Sequence, residues 1–367
     1  MTRADRGRPN RRRRTVLTLA ALVTVVAGTA SGCVTMPKEK TGAAPAWAPI
    51  SAEDTLSVVR KYDRLEAKAR RTRDADLLRS VESGPLLRSG QGGMRVAHGF
   101  DPEGRSVLTS PSRSGTVVHL PKFSGYPVWF LAVSTTRQAA GQPTGKGAGK
   151  GTDQGTGKGT GQAADQGDRK VVDMMTRPTA GSAWKAAQSV VLDEGARLPA
   201  LAERGGAPVV LPAADAGTLV RPADKTASAY ALLLTNGPKA PQAWAFAPHP
   251  QTQRAQQAAV QKGRSPAFVY RHRYEVTSVR ALATADGGAL ELFTMNEIEN
   301  YQARGSAPLK FDRANPVAAY TGYRIGRTLV RTTWVWQVVA HVPAKGKSDG
   351  KVHLLGVDRG LASVQTR

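Results

Sequence analysis

The best candidate for ligand chemistry is a row of aromatic residues in the carboxyl-terminal part of the chain. Tyr270, His272 and Tyr274 alternate with other residues, which places them on one face of a predicted β-strand. Residues of neighbouring strands could complete a pocket, namely Trp334 or Trp336 and one of the carboxylates Glu291, Asp286 and Glu297. Aromatic walls with a few polar groups are typical of small-molecule sites. An aromatic stripe at this spacing is also typical of a packed core, so both interpretations stay open.

Catalytic chemistry has weaker support. In an open pocket, His272 beside a carboxylate could serve as acid and base for an isomerase or a hydrolase. The Gly-Lys pairs in 145–158 lack the upstream glycine and the following Ser or Thr of a phosphate-binding loop. Residues 346–350 have the spelling of a nucleophile elbow but join two predicted strands. Ser182 and Lys185 spell a Ser-x-x-Lys motif whose companion motifs are missing or out of order. We predict no catalytic residue and no enzyme activity.

The metal-binding residue types are few and scattered. The six histidines form no i, i+4 pair and have no carboxylate at metal-ligand spacing; they are His98, His119, His249, His272, His341 and His353. A single cysteine excludes disulfides within the chain and every site built from paired cysteines. The sequence therefore predicts no metal and no cofactor.

The single cysteine, Cys33, follows a predicted export signal. Residues 1–14 contain seven arginines and one acid, and the apolar run 16–30 follows directly. This run is shorter than the about 20 residues that a membrane-spanning helix needs. It ends in the small residues Ala30, Ser31 and Gly32, immediately before Cys33.

This arrangement resembles the bacterial lipobox. The resemblance implies that the signal peptide, residues 1–32, is cleaved before Cys33 and that a diacylglycerol is attached to the cysteine sulfur. Arg13 and Arg14 also resemble a twin-arginine signal, so export through the Sec or the twin-arginine route stays open. We expect a protein anchored by lipid on the extracytoplasmic face of the cell membrane, because two acyl chains hold a protein stably on a bilayer.

The chain is strongly basic. Cleavage removes seven arginines and one aspartate, which lowers the formal net charge from +24 to +18. For an exported protein, this charge favours membrane headgroups, an anionic wall polymer or another envelope protein as partners over nucleic acid. One predicted basic face lies on the first helix and consists of Arg60, Lys61, Arg64, Lys68 and Arg71.

The elements that would position these residues fall into two similar halves. Residues 33–50 form a tether, and a first α+β domain spans 51–196. It begins with a helix capped by Ser51, and a second short helix capped by Asp74 stops at Gly84. Strands follow, interrupted by the tract 138–168, in which ten of 31 residues are glycine. We expect this tract to be a disordered insertion in a hairpin, because it cannot bury enough apolar surface to fold.

The second half repeats this order. A linker at 197–218 precedes a second α+β domain at 219–367. Two helices are predicted near 224–236 and 252–262, followed by strands at 268–276, 279–284, 289–294, 329–342 and 352–357. Asp286-Gly287 predicts a hairpin turn between two of these strands.

The fold class predicted is α+β, with helices before a curved antiparallel sheet in each half. In this order each half resembles the NTF2-like family, which implies two tandem cones, each with a pocket at its open end. The whole chain also resembles a group of actinobacterial lipoproteins of unknown function, through the segment 124–130 and the hairpin at 285–288. We expect a binding or structural role at the cell envelope. A pocket enzyme and attachment to wall polymer are the alternatives.

Overall fold

The computed structural model describes residues 46–106, 108, 110, 112–137, 168–214, 217–324, 328–347 and 349–367. The predicted signal peptide, Cys33, nearly all of the tether and all of the tract 138–168 except Asp168 lie outside these ranges. Within them, no helix combines the length and the apolar character that crossing a bilayer requires. Residues 44–367 form one compact unit.

The first helix, α1 (Ala52–Thr72), matches its prediction. The Ser51 side chain accepts a hydrogen bond from the Asp54 backbone amide and so caps the amino end of the helix. The helix buries Val59 and Tyr62 against the first sheet, and it buries Ala69 against Leu78 and Met94 of the two helices that follow. The predicted basic face is exposed along its whole length, at Arg60, Lys61, Arg64, Lys68 and Arg71.

Two shorter helices follow α1. In α2 (Ala75–Val81), the Asp74 carboxylate accepts from two backbone amides, which confirms the predicted cap. The sequence places a helix stop at Gly84-Pro85, but α3 (Gly84–Phe100) begins there. Proline at the first turn of a helix replaces an amide that has no partner, so Pro85 starts a helix as readily as it ends one.

The first sheet contains four antiparallel strands in sequence order: β1 (Ser112–His119), β2 (Val128–Arg137), β3 (Arg169–Arg177) and β4 (Lys185–Val191). Strand β2 pairs with β3 from Val128↔Arg177 to Thr136↔Arg169. The tract 138–168 therefore joins two antiparallel neighbours, as its predicted place in a hairpin requires.

The segment predicted as a linker, 197–218, contains short strands. Strands β5 (Glu203–Arg204) and β6 (Ala207–Pro208) pair with each other, and β7 (Val210–Leu211) adds an edge to the second sheet. Of this segment, β7 therefore belongs to the second sheet, and β5 and β6 form a small sheet of their own.

The second half contains two helices before its sheet and one short helix within it: α4 (Ala223–Asn236), α5 (Pro250–Gly263) and α6 (Pro316–Tyr320). The sheet has the order β11-β10-β9-β8-β7, with β8 (Phe268–Ala283), β9 (Ala289–Ala303), β10 (Leu329–Val342) and β11 (His353–Thr366). The two strands predicted at 268–276 and 279–284 are one strand with a bulge between Val276 and Ser278.

The hairpin at Asp286-Gly287 is confirmed. Gly287 has a φ of +85°, and the Thr284 backbone amide donates to the Gly288 carbonyl. The Asp286 side chain accepts from the Gly288 amide, which fixes the turn.

The two sheets pack against each other through a shared core. Trp129 and Leu131 of the first sheet lie in one buried cluster with Leu282 and Leu292 of the second. The opposite face of the second sheet is covered by α4 and α5, and the opposite face of the first by α1. The α+β class with antiparallel sheets is confirmed, whereas the division into two tandem cones stays a prediction.

Candidate functional site

The predicted aromatic row lies on the face of β8 that α5 covers. The ring centroids of Tyr270 and His272 are 5.3 Å apart, and those of His272 and Tyr274 are 5.7 Å apart. Lys262, near the end of α5, has its ammonium group 5.3 Å from the centre of the Tyr270 ring. The row therefore forms a continuous wall beneath α5.

Two glutamates of β9 lie at the centre of this face. In the register of the sheet, Glu297 is opposite Tyr274 on one side and Trp334 on the other, and Glu299 is opposite His272. Both glutamates are almost fully buried. A buried carboxylate is stable only when hydrogen bonds and opposite charges replace its water.

Glu299 has five such partners. Its Oε1 accepts from the Tyr270 hydroxyl at 2.9 Å and from Lys262 Nζ at 2.5 Å. Its Oε2 accepts from three more donors: the Tyr301 hydroxyl at 3.0 Å, the Thr332 hydroxyl at 2.8 Å and Trp334 Nε1 at 2.8 Å. Burial alone would raise the pKa of Glu299, but the charges of Lys262 and Arg359 hold that pKa well below its usual range.

Glu297 is held in the same way. Its Oε1 accepts from the Tyr274 hydroxyl at 2.8 Å, and its Oε2 accepts from Trp336 Nε1 at 2.9 Å and Arg359 Nε at 2.7 Å. The Arg359 guanidinium also lies 3.7 Å from the centre of the Trp334 ring. Burial and the carboxylate of Glu297 raise the pKa of Tyr274 well above its usual value, which keeps its hydroxyl a donor.

A cavity of about 240 Å³ lies between α5 and this wall. Its lining from the sheet side consists of Tyr270, Glu297, Trp336 and Arg359. The helix contributes Gln251, Arg254, Ala255, Ala258, Ala259 and Lys262. The small residues of α5 leave room above the wall. We call this space the α5 cavity.

The predicted site residues divide between the cavity and its support. Tyr270 and Trp336 line the α5 cavity. Tyr274 and Trp334 are 8% and 6% exposed and donate to the glutamates from the core. The two interpretations of the aromatic row, core and pocket, therefore apply to different members of it.

Glu291 is not part of this site. It lies on the same face of β9, but six residues before Glu297, which separates the two by about 20 Å along the strand. It is fully buried near Asp224 at the start of α4, and burial raises its pKa to about 8. Alternation alone could not distinguish Glu291 from Glu297, because both occupy odd positions of one strand.

His272 does not form the acid–base pair considered for it. Its ring lies between two tyrosine rings, its Nδ1 has no hydrogen-bond partner within the described residues, and burial lowers its pKa. Both neighbouring carboxylates already accept from other donors. Among the residues that the structure describes, no three His, Cys, Asp or Glu side chains form a group suited to a metal.

Sequence reasoning missed five members of the glutamate cluster: Lys262, Glu299, Tyr301, Thr332 and Arg359. One signal was available, since Glu297 and Glu299 alternate on their strand as Tyr270 and Tyr274 do on theirs. The two basic residues gave no such signal, because the chain has 52 Lys and Arg residues and only the fold selects two of them.

Comparison with known proteins gives one family and one full-length relative. The model of a family described as "Domain of unknown function (DUF8094)" matches residues 43–365. The chain is 23% identical over 366 residues to a Streptomyces coelicolor protein named "Uncharacterized lipoprotein SCO2278", with 98% of each chain covered. No solved structure matches the chain.

Proposed function

The chain belongs to the DUF8094 family, and from this premise we propose that it is a lipid-anchored protein of the outer face of the cell membrane that binds a small molecule in the α5 cavity. The anchor is the acylated Cys33. One observation supports the binding role: a cavity lies over two buried glutamates whose oxygens already accept hydrogen bonds from protein donors.

Two independent features support the anchor. The residues before Cys33 have the order of a cleavable export signal that ends in small residues. The Streptomyces relative covers 98% of the chain and carries the name of a lipoprotein. A protein held by two acyl chains needs no membrane-spanning helix.

Replacing the cysteine tests the anchor directly. We expect the native protein to fractionate with membranes and to carry a diacylglycerol mass on residue 33, whereas Cys33→Ala leaves the membrane fraction. Membranes are washed at about 1 M salt, where the screening length falls to about 3 Å and surface electrostatic attraction is suppressed. Thr35→Ala, which leaves the cysteine intact, is the control. Unmodified Cys33 in the native protein, or Cys33→Ala that stays in the washed membranes, contradicts the anchor.

The chemistry of the α5 cavity favours binding over acid–base catalysis. Both oxygens of Glu297 and of Glu299 accept hydrogen bonds from fixed donors, so neither carboxylate is free to take a proton from a substrate. The basic side chains have more donors than the glutamates use. Lys262 has three N–H groups and Arg359 has five, and these outnumber their bonds to the glutamates.

The remaining N–H donors and the charges around them indicate the ligand class. Lys262 and Arg359 balance the two glutamates, and Arg254 adds one more positive charge at the cavity. The ring of Tyr270 and the small side chains of Ala255, Ala258 and Ala259 supply apolar surface beside it. We therefore propose a small molecule with one anionic group and an apolar or ring-shaped part. The volume of about 240 Å³ lies just below the range of about 300–1,000 Å³ for drug-sized ligands, which fits a compact metabolite.

Filling the cavity tests the binding role. We expect native mass spectrometry of protein purified from its host to show a bound small molecule on the natural chain. Ala258→Phe places a ring in the cavity and should remove that mass, whereas Val260→Phe, on the outer side of α5, should keep it. A natural chain without bound mass, or an Ala258→Phe variant that retains it, would contradict the proposal.

A further inference from the structure

We infer that one end of the second sheet, marked by Trp244, docks onto an anionic phospholipid bilayer. The inference rests on the proposed lipid anchor, since the anchor brings the protein to a membrane, and it adds which surface faces the lipid. We call this surface the Trp244 end; it consists of Arg221, Trp244, Lys345, Lys347 and Lys351 with the loops that carry them.

Backbone hydrogen bonds bring these loops together. The Val352 amide donates to the Ala245 carbonyl at 2.8 Å, which joins the loop after β10 to the 3-10 turn Ala243–Ala245. The Lys345 amide donates to the Thr218 carbonyl, which brings in the segment before α4. Together the loops enclose a cavity of about 230 Å³, whose lining includes Arg221, Trp244, Lys345 and Gly346.

Trp244 is the most unusual residue of this surface. Tryptophan has the largest side chain in proteins, yet Trp244 is 70% exposed, whereas Trp334 and Trp336 are buried. Leaving an indole in water forgoes the free energy of burying a large apolar surface. At the surface of a bilayer, the same ring occupies the headgroup region with its N–H still hydrated, which is where tryptophan is enriched in membrane proteins.

The charges around Trp244 match an anionic surface. Lys345 and Lys347 are exposed on the loop after β10, and Arg221 and Lys351 are half-buried beside them. Two carboxylates also lie here, and each contacts a histidine: Asp349 with His353 at 3.1 Å and Asp286 with His341 at 3.3 Å. A third carboxylate, Asp224, follows Arg221 by three residues and pairs with Lys225 at 3.4 Å. Among the described residues of this surface, the four basic groups therefore outnumber the acids. The two cationic side chains that line the cavity, Arg221 and Lys345, are suited to the phosphate of a lipid headgroup.

The position where the described chain begins supports this orientation. Trp47 pairs with Phe123 through two backbone hydrogen bonds of 2.9 Å, and the adjacent Lys122 donates to the Gly205 carbonyl. That carbonyl belongs to the segment whose Ala202 amide bonds to Ala283, at the same end of the second sheet. The 12 residues between Cys33 and residue 46 span at most about 43 Å. The described chain thus begins near the β7 edge of the same end of the second sheet.

The basic face of α1 is the competing surface. It has five exposed cations: Arg60, Lys61, Arg64, Lys68 and Arg71. None of the large exposed hydrophobic side chains of the described residues belongs to α1. A long row of charges alone suits a flexible polyanion such as a wall polymer as well as a bilayer. An exposed tryptophan within a basic surface suits an interface with an apolar interior, where tryptophan is enriched, and this difference favours the bilayer for the Trp244 end.

Vesicle binding without the lipid tests the inference. Because residues 44–367 form one compact unit, a chain that begins at residue 34 keeps the whole fold and lacks the acylated cysteine. We expect this chain to sediment with vesicles of phosphatidylcholine and phosphatidylglycerol in equal parts, and not with phosphatidylcholine alone. Its failure to bind would overturn the inference and leave the Cys33 anchor untouched, because the anchor is measured separately on residue 33.

Matched variants locate the surface. Lys345→Gln/Lys347→Gln and Arg64→Gln/Lys68→Gln remove the same charge from two different surfaces. We expect the first pair to weaken vesicle binding about tenfold or more and the second by less than about threefold, since each basic group near an anionic bilayer contributes about 1 kcal/mol. Trp244→Ala should weaken binding while keeping its salt dependence. Equal losses for the two pairs, no effect of Trp244→Ala, or binding to purified wall polymer but not to vesicles would each overturn the inference.

Discussion

Replacement of Arg359 by methionine is expected to lower the free energy of unfolding by about 3–5 kcal/mol, the cost typical of removing one partner of a buried ion pair. Methionine keeps most of the side-chain volume, so the loss measures charge rather than a cavity. Arg359 is the partner of Glu297 at 2.7 Å and lies 3.7 Å from Glu299. Among the described residues, its removal leaves Lys262 as the one cation in contact with the two buried carboxylates.

A double-mutant cycle provides the control for this prediction. Glu297→Gln removes the carboxylate that Arg359 neutralises, and the Gln side chain can still accept from Tyr274. We therefore expect the double variant Glu297→Gln/Arg359→Met to lose about 1–3 kcal/mol less stability than the two single variants lose together. Chemical denaturation of the four proteins measures each value. A loss below about 1 kcal/mol for Arg359→Met would contradict the prediction, because it is the value typical of an ion pair exposed to solvent.

The aromatic row could be predicted because a strand imposes a period of two on whichever residues face one side. Tyr270, His272 and Tyr274 follow that period, and the structure places all three on the face beneath α5. The hairpin at Asp286-Gly287 could be predicted for a similarly local reason, since a turn with positive φ needs glycine.

The carboxylates of the site could not be assigned from the sequence. Which glutamate of β9 faces Tyr274 depends on the register between β8 and β9, and that register includes a bulge between Val276 and Ser278. A bulge adds one residue to one strand and moves every later pair. Glu291 and Glu297 therefore have the same pattern in the sequence but lie at different ends of the sheet.

The two proposed surfaces of the second sheet are compatible with each other. Glu297, in the floor of the α5 cavity, is eight residues along β9 from Ala289, which adjoins the hairpin at the Trp244 end. Eight residues of a strand span about 26 Å. A bilayer in contact with the Trp244 end thus leaves the α5 cavity away from the headgroups, where it can exchange a small molecule with the surrounding medium.

Helix α3 was missed because its glycines argue against a helix. Gly90, Gly92, Gly93 and Gly99 lie within its 17 residues, and each glycine costs an isolated helix about 1 kcal/mol relative to alanine. The structure shows what two of them provide. A Cβ atom on Gly92 would lie 1.7 Å from the Leu361 carbonyl oxygen, and one on Gly99 would lie 1.9 Å from that of Ala319. The glycines let α3 approach β11 and α6 at backbone distance.

Gly92→Ala should therefore be among the most destabilising single changes in the chain. The atoms that a methyl group would meet belong to the backbone of β11, which cannot move aside as a flexible side chain can. We expect a loss of about 3 kcal/mol or more, at or above the upper end of typical overpacking costs. Thermal and chemical denaturation measure it, provided that the variant is obtained folded; failure to fold is itself the extreme of the same expected result.

Gly93 provides a control one residue away on the same helix. A Cβ atom at Gly93 would meet nothing within 4 Å, so Gly93→Ala gains helix propensity without a clash and should raise stability by about 0.5–1 kcal/mol. The two changes are chemically identical and differ only in the face of α3 on which the methyl group appears. Opposite signs are therefore expected if close contact with β11 explains the glycines. If both variants gained stability, α3 would not lie against β11 at this distance, and the contact between the helix layer and the second sheet would have to be different.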